Sequence, residues 1–286
     1  MKKLLILSGK GGTGKTTVAA ALIELFSAKA FADCDVDAPN LHLVQSCNLG
    51  SIVDDFYGSK KAVIDKLKCV FCGACASNCR FDAINLFKSK YIVDEYACEG
   101  CGVCEYVCPT KAIHLVDDIS GKLMLYQNNF VFSTAELKMG RGNSGKLVMA
   151  VKKQLDDHAE ADIAVIDGSP GIGCPVIASI SGVDMVLIVT ETSQSGISDM
   201  ERLLKTVRQF DVSVAVCVNK FDTSSEKTEE IISFCENNAI AFIGKIPLDS
   251  EVSKAQNNGI SVIKIDCPAT TAIKEIFEQT KILLKV

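Results

Sequence analysis

Short apolar runs recur along the chain, and helix-like stretches separate most of them. Leu4-Leu5-Ile6-Leu7 reads as a buried strand, followed by a glycine-rich turn at 9–14 and the helical Val18-Ala19-Ala20-Ala21-Leu22. Residues 30–32 form a short apolar strand that feeds Asp33, Asp35 and Asp37, three carboxylates at alternate positions. If that segment stays extended, all three share one face. Further strands are expected at 130–134, 161–167, 185–190, 212–218 and 239–246. A helix is expected to start at Ser144 and run through 157, and a last, amphipathic one covers 272–284. Apolar strands alternating with helices predict an α/β fold with a mostly parallel sheet flanked by helices.

One stretch breaks the alternation. It reads Cys69-x-x-Cys72-x-x-Cys75-x-x-x-Cys79 and then Cys98-x-x-Cys101-x-x-Cys104-x-x-x-Cys108-Pro109. The repeat continues beyond the cysteines, since Cys79-Arg80-Phe81-Asp82-Ala83-Ile84 parallels Cys108-Pro109-Thr110-Lys111-Ala112-Ile113. This is the bacterial ferredoxin spacing, twice: three close thiolates wrap one [4Fe–4S] cluster and the fourth ligates the other. That rule groups Cys69, Cys72 and Cys75 with Cys108, and Cys98, Cys101 and Cys104 with Cys79. Gly73, Gly100 and Gly102 let backbone N–H groups crowd inorganic sulfide. Structural zinc is the alternative, but zinc sites rarely show four cysteines at this spacing twice. Arg80 stands where the second half has proline, which leaves the ligand set intact. Both ends of this module must return to one sheet edge. The expected division is therefore a discontinuous P-loop domain, 1–59 and 119–286, with a ferredoxin-like α+β domain inserted at 60–118.

The turn after the first strand carries the other chemistry. Gly9-x-x-x-x-Gly14-Lys15-Thr16 between strand and helix is a phosphate cradle, whose N–H groups and helix N-terminus converge on an anion. Gly11, Gly12, Thr13, Gly14 and Thr17 complete its wall. Lys15 reaches the β- and γ-phosphates of ATP, and the Thr16 hydroxyl ligates Mg²⁺. Asp167, at the end of the apolar run 161–167, precedes Gly168-Ser169-Pro170-Gly171.

With Lys10 at the front of the loop, the motif Lys10-Gly11-Gly12-Thr13-Gly14-Lys15-Thr16 resembles the deviant Walker A ATPases of the MinD/ParA/nitrogenase-iron-protein group. The resemblance covers essentially the whole chain and narrows to members with an inserted ferredoxin domain. It implies a nucleotide-dependent homodimer in which Lys10 reaches the partner's phosphates, as an arginine finger does. By the same match Asp35 activates the attacking water, Asp33 stands behind Mg²⁺, Asp167 polarises a magnesium-bound water and Gly171 senses the γ-phosphate. Asn219 is the base-recognition candidate. The family contacts adenine there, but Asn219-Lys220-Phe221-Asp222 also has the spelling of guanine-reading loops. Pro247-Leu248-Asp249 resembles the family's nucleotide-edge loop. Cys174 stands at the distance from Asp167 of the cysteine by which the nitrogenase iron protein shares a cluster between subunits. The second cysteine that sharing needs is missing near 140–145, so a small buried residue is the default for Cys174, as for Cys34, Cys47, Cys217, Cys235 and Cys267. Arg141 and Lys146, in a glycine-rich loop, are equally an anion or partner contact and an ordinary helix entry.

Composition trims the list. A net charge of −5 over 286 residues offers no nucleic-acid footprint. Fourteen cysteines in a chain expected to be cytoplasmic point to metal, not to disulfides. Lysines 274, 281 and 285 are too few to favour a membrane-docking tail over packing on the sheet. The function expected is a switch ATPase, slow without a partner, that couples nucleotide state to electron transfer through two [4Fe–4S] clusters, with an unidentified redox or metallocofactor client. An iron–sulfur assembly or carrier ATPase is the alternative.

Overall fold

The structure, a computed structural model, describes residues 1–45 and 50–286. Its strands are β1 (Lys2–Leu7), β2 (Ala30–Asp33), β3 (Ile52–Tyr57), β4 (Lys61–Ile64), β5 (Ile84–Phe87), β6 (Lys90–Val93), β7 (Ile113–Val116), β8 (Ile119–Gln127), β9 (Val131–Leu137), β10 (Ile163–Asp167), β11 (Met185–Glu191), β12 (Ser213–Asn219) and β13 (Ala241–Ile246). Its helices are α1 (Lys15–Leu25), α2 (Leu41–Val44), α3 (Ala74–Ser77), α4 (Val103–Tyr106), α5 (Ser144–His158), α6 (Cys174–Ile180), α7 (Gln194–Val207), α8 (Ser225–Asn237), α9 (Ser250–Asn257) and α10 (Pro268–Leu284). The chain divides into two units: residues 1–53, 123–136 and 144–286, and residues 54–122 and 137–143.

The larger unit is built on parallel strands in the order β13-β12-β11-β1-β10-β2-β9. Leu4 to Leu7 are fully buried, as a central parallel strand covered on both faces requires. Phe132 of β9 joins a cluster with Val18 and Leu22 of α1 and Ile273 and Ile276 of α10. Its neighbour Ser133 donates instead to Val151 O of α5 at 2.9 Å. Successive strand residues face opposite ways, so α1 and α10 cover one face and α5 the other. The last helix thus turns its apolar stripe onto the sheet. Among the described residues, no helix is long and apolar enough to cross a membrane. The chain runs from β1 to β2 on one side, then from β10 to β11 on the other, and the crevice over such a reversal is where open α/β sheets bind ligands.

In the smaller unit the sequence repeat becomes a structural one. β4 pairs antiparallel with β7, and β5 with β6. Gly73 (φ 78°) and Gly102 (φ 80°) open α3 and α4 in the left-handed conformation that favours glycine. Asp65 N donates to Ala112 O and Asp94 N to Ala83 O, each at 2.7 Å, so either half is closed by the other's neighbourhood. Segment 137–143 belongs here through Arg141, which pairs with Glu95 at 2.6 Å and Asp118 at 3.1 Å and lies over the Tyr96 ring. Arg141 is thus a structural clamp, with its guanidinium committed within the unit.

Candidate functional site

β2 stops at Asp33, so Asp33, Asp35 and Asp37 do not share the face that an extended segment would give them. Asp33 is buried, and its carboxylate accepts from the N–H groups of Asp35, Asn40 and Leu41 at 2.9–3.0 Å. That loop curls over the strand end, because three backbone donors find one carboxylate. Asp35 and Asp37 are left on the wall of a cavity of about 620 Å³. Gly11, Gly12, Thr13, Gly14, Lys15, Thr16 and Thr17 form the opposite wall. Gly12 and Gly14 take positive φ, and a Cβ on Gly14 would fall 2.2 Å from Asn219 Nδ2. The Thr13 hydroxyl is buried and, among the described residues, has no hydrogen-bond partner.

Lys15 and Asp167 form a buried pair at 2.6 Å, with side chains 6% and 0% exposed. Thr16 Oγ1 also donates to Asp167, at 2.7 Å. Burial alone would lower the Lys15 ammonium; Asp167, then Asp33 and Asp35, outweigh it and hold it above its ordinary value. Burial, then Asp167, pushes Asp33 well above the carboxylate range. Burial pushes Asp35 up to about 6, against the attraction of Lys15. A cluster of perturbed carboxylates and one lysine in a cleft is the electrostatic signature of a functional site.

Four residues singled out from the sequence make contacts within the chain. Lys10 stands off the cavity wall: Glu191 holds its ammonium at 2.6 Å, and it donates to Ser193 and Ser195 at 3.1 and 2.9 Å. The Gly171 N–H donates to Ser8 O at 2.9 Å, so it is not free for a phosphate. Asn219 lines the cavity, but its Nδ2 donates to Thr13 O at 2.8 Å. Asp222 accepts from Leu248 N at 2.8 Å, so one oxygen of its carboxylate is engaged within the chain. Sequence reasoning missed Val252, Ser253 and Gln256 of α9, which line the cavity. Gln256 Nε2 reaches Thr17 Oγ1 at 2.5 Å. No local motif marks them; only the return of α9 over the start of α1 brings them there.

Residues 4–262 match the CobQ/CobB/MinD/ParA nucleotide binding domain. The chain belongs to this family. It is 34% identical, over 98% of its length, to the uncharacterized protein MJ0578 of Methanocaldococcus jannaschii, covering 96% of that protein. It is 24% identical, over 97% of its length, to the iron–sulfur cluster carrier protein of Pyrococcus furiosus, covering 84% of it. Among solved structures it is similar to the septum site-determining protein MinD complexed with Mg-ADP from Pyrococcus horikoshii, with TM-score 0.58, 18% identity, and coverage of 98% of this chain and 95% of that one. That last likeness speaks for the MinD/ParA fold alone.

In the smaller unit, the eight thiols of the two repeats sort into two cavities. Cys69, Cys72, Cys75 and Cys108 line one; Cys79, Cys98, Cys101 and Cys104 line the other. Ala112 N donates to Cys108 Sγ at 3.2 Å and Ala83 N to Cys79 Sγ at 3.4 Å, the same contact in each half. Among the described residues, no three His, Cys, Asp or Glu side chains converge on a single-ion point. Outside the repeats, Cys34, Cys217, Cys235 and Cys267 are buried, as small core residues are. Cys174 corrects its default reading. It is exposed, because it occupies the first position of α6 at the solvent end of that helix. Cys47 lies outside the described residues.

Proposed function

We propose that this MinD/ParA-type protein is an ATPase whose nucleotide state governs electron transfer through two [4Fe–4S] clusters, held by residues 60–118 as a ferredoxin-like domain inserted between 1–59 and 119–286. The observation that carries it is the sorting of thiols, four to each cavity, with the fourth in each contributed by the other repeat. The residues fit such clusters: every donor is a thiol, glycine-opened turns bring the backbone close, and the Ala83 and Ala112 N–H groups already bond to sulfur. When bound, a pair of this kind supplies one-electron storage, usually at low potential.

At the larger unit's cavity, Gly11 to Gly14 and Thr17 receive the phosphates, and Lys15 leaves Asp167 for the β- and γ-phosphates. Mg²⁺ would be held by the Thr16 hydroxyl, with Asp33 and Asp167 behind it, to neutralise phosphate charge. Asp35 takes a proton from the attacking water; a carboxyl pushed up to about 6 is a better base near neutrality than an ordinary one. Gly171 gives up its bond to Ser8 to meet the γ-phosphate, and Asn219 meets the base. In the nucleotide-dependent homodimer, Lys10 leaves Glu191 and completes the partner's phosphate site. The cysteine-rich unit follows the segment around Asp35 in the chain, and this order supports placing ATP state and cluster chemistry in one cycle.

The test is anaerobic. Iron and acid-labile sulfide should each come to about eight per chain. The potential of the reduced protein should then differ between ADP and a nonhydrolysable ATP analogue; equal potentials remove the coupling, and zinc without sulfide removes the clusters. The likeness to an iron–sulfur cluster carrier protein favours a second reading, in which the clusters are cargo. Under it, iron and sulfide leave together to an apo-acceptor, whereas clusters of the first reading stay.

A further inference from the structure

Cys69 and Cys98 stand 29 residues apart, and so do Cys79 and Cys108. At that offset each thiol-lined cavity is a control for the other. Much that sets a cluster's potential is then equal between them. Each set of four thiols has one exposed member, Cys72 or Cys101, and one buried member, Cys75 or Cys98. The Ala112 N–H meets the Cys108 sulfur as the Ala83 N–H meets that of Cys79. With cluster type, thiol exposure and these backbone bonds matched, side-chain donors and nearby charge remain to distinguish the two.

These differ at three matched positions on the cavity walls. Tyr91 of β6 lines the Cys69 cavity, and its counterpart in the Cys98 cavity is Ala62 of β4. The phenol sits at the cysteine loop, because a Cβ on Gly73 would fall 2.9 Å from its oxygen. Among the described residues that oxygen has no hydrogen-bond partner. Thr110 lines the first cavity where Phe81 lines the second, and its hydroxyl stands 3.8 Å from Cys108 Sγ. Glu99, an exposed carboxylate, lines the second cavity where Val70 lines the first.

Charge beyond the walls follows the same division. Lys66 and Lys111 accompany the first set of thiols where Glu95 and Asp82 accompany the second. Arg80 against Pro109 runs the other way, and Arg141 pairs with Glu95 at 2.6 Å. Lys61, which donates to Cys98 O at 2.5 Å, has its counterpart in Lys90. The balance stays more positive around the first set. Reduction adds one negative charge to a cluster. A hydroxyl that donates to its sulfur stabilises that charge, and a neighbouring carboxylate opposes it.

We propose that the two clusters are unequal by construction. The one held by Cys69, Cys72, Cys75 and Cys108 has the higher potential and takes the first electron; the one held by Cys79, Cys98, Cys101 and Cys104 takes the second. This inference rests on the cluster reading above. A one-electron donor then leaves the protein in one defined state, with the added electron at the Tyr91 side. An electron that enters at the Cys98 group runs downhill to the Cys69 group.

The experiment is an anaerobic redox titration of the full-length protein, followed by electron paramagnetic resonance. Two one-electron midpoints should be resolved, at least about tenfold apart in reduction constant, or about 59 mV. Cys72→Ser should keep the lower midpoint alone. Tyr91→Phe should weaken reduction at the higher midpoint about fivefold, as loss of one hydrogen bond does, and leave the lower one in place. Thr110→Val should act in the same direction. Glu99→Gln should raise the lower midpoint only. Coincident midpoints in protein with about eight irons overturn the inequality, and a Cys72→Ser protein that keeps the higher midpoint overturns its sign. If Tyr91→Phe and Glu99→Gln move neither midpoint, or move both alike, these side chains do not set the difference. Protein with zinc and no sulfide loses the clusters and this inference together, and iron and sulfide measured on the same sample tell that failure from the others.

Discussion

Backbone aims the thiols of the cysteine-rich unit, whereas the charged side chains around the P-loop hold one another. In the first, Gly73 and Gly102 set the turns, and the N–H groups of Ala83 and Ala112 meet the Cys79 and Cys108 sulfurs, so backbone rather than a neighbouring side chain holds those thiols. In the second, Lys15 leans on Asp167, Thr16 on Asp167 and Lys10 on Glu191. A group held by backbone can be removed one at a time. A group held by its neighbour leaves that neighbour stranded, and where the pair is buried the stranded charge is expensive.

The sharpest way to break this contrast is Lys15→Gln. Asp167 is fully buried, and without the ammonium its carboxylate keeps, among the described residues, the Thr16 hydroxyl as its side-chain donor. The nucleotide-free protein should lose about 3 kcal/mol in urea unfolding, the usual result of removing one partner of a buried pair. ATP binding should disappear as well. The double variant Lys15→Gln, Asp167→Asn should recover much of the stability and none of the binding. If Lys15→Gln unfolds at the parent's midpoint, the two charges are not holding each other.

Cys72→Ser examines the other side. Cys72 is exposed and its placement comes from the turn before Gly73, so the fold should be indifferent. Iron should fall from about eight to about four per chain, since only one cluster loses a ligand. Loss of all the iron would mean that the halves stand or fall together, and the backbone account would be wrong.

What could be read from the sequence divides along the same line. The cysteine groups were legible because spacing alone aims a thiol: Cys108 faces the cavity of Cys69, Cys72 and Cys75, as the repeat implied. The strands and the phosphate cradle were legible because each is a local pattern. Partnerships formed across the fold were not. Nothing near Lys10 announces Glu191, and nothing in α9 announces that Gln256 will meet Thr17. Alternation of Asp33, Asp35 and Asp37 suggested one shared face, but the strand ended where Asp33 found three backbone donors, and the carboxylates parted.

Asp35 gives a milder test, through pH. Burial, partly opposed by Lys15, raises its carboxyl from an ordinary 3.8 to about 6. The folded state then binds the proton more tightly than the unfolded one. Its contribution is favourable at low pH and fades as pH rises from about 4 towards about 6. Asp35→Asn cannot titrate, so the nucleotide-free variant should gain on the parent as pH rises from about 4 to about 6 in paired urea titrations. A constant difference across that window would show that the carboxylate is not desolvated as its position implies.

Glu191→Gln should also change stability little, and it is the most telling for function. The pair with Lys10 is partly exposed, at 32% and 20%, so its loss should change unfolding by less than about 1 kcal/mol. Yet Glu191 also draws Lys220, at 3.7 Å, and its carboxyl is held below the ordinary range chiefly by Lys10, which overcomes the opposing effect of burial. If the trans reach of Lys10 completes the partner's phosphate site, Glu191 competes with that partner for one ammonium. Neutralising Glu191 should then raise the fraction of dimer formed with a nonhydrolysable ATP analogue at fixed protein concentration, measured by light scattering, while Lys10→Ala in the same background should abolish the gain. Should Glu191→Gln leave dimer formation where it was, the contact is a resting place for the lysine without consequence, and the P-loop unit would hold its charges as passively as the other unit holds its thiols.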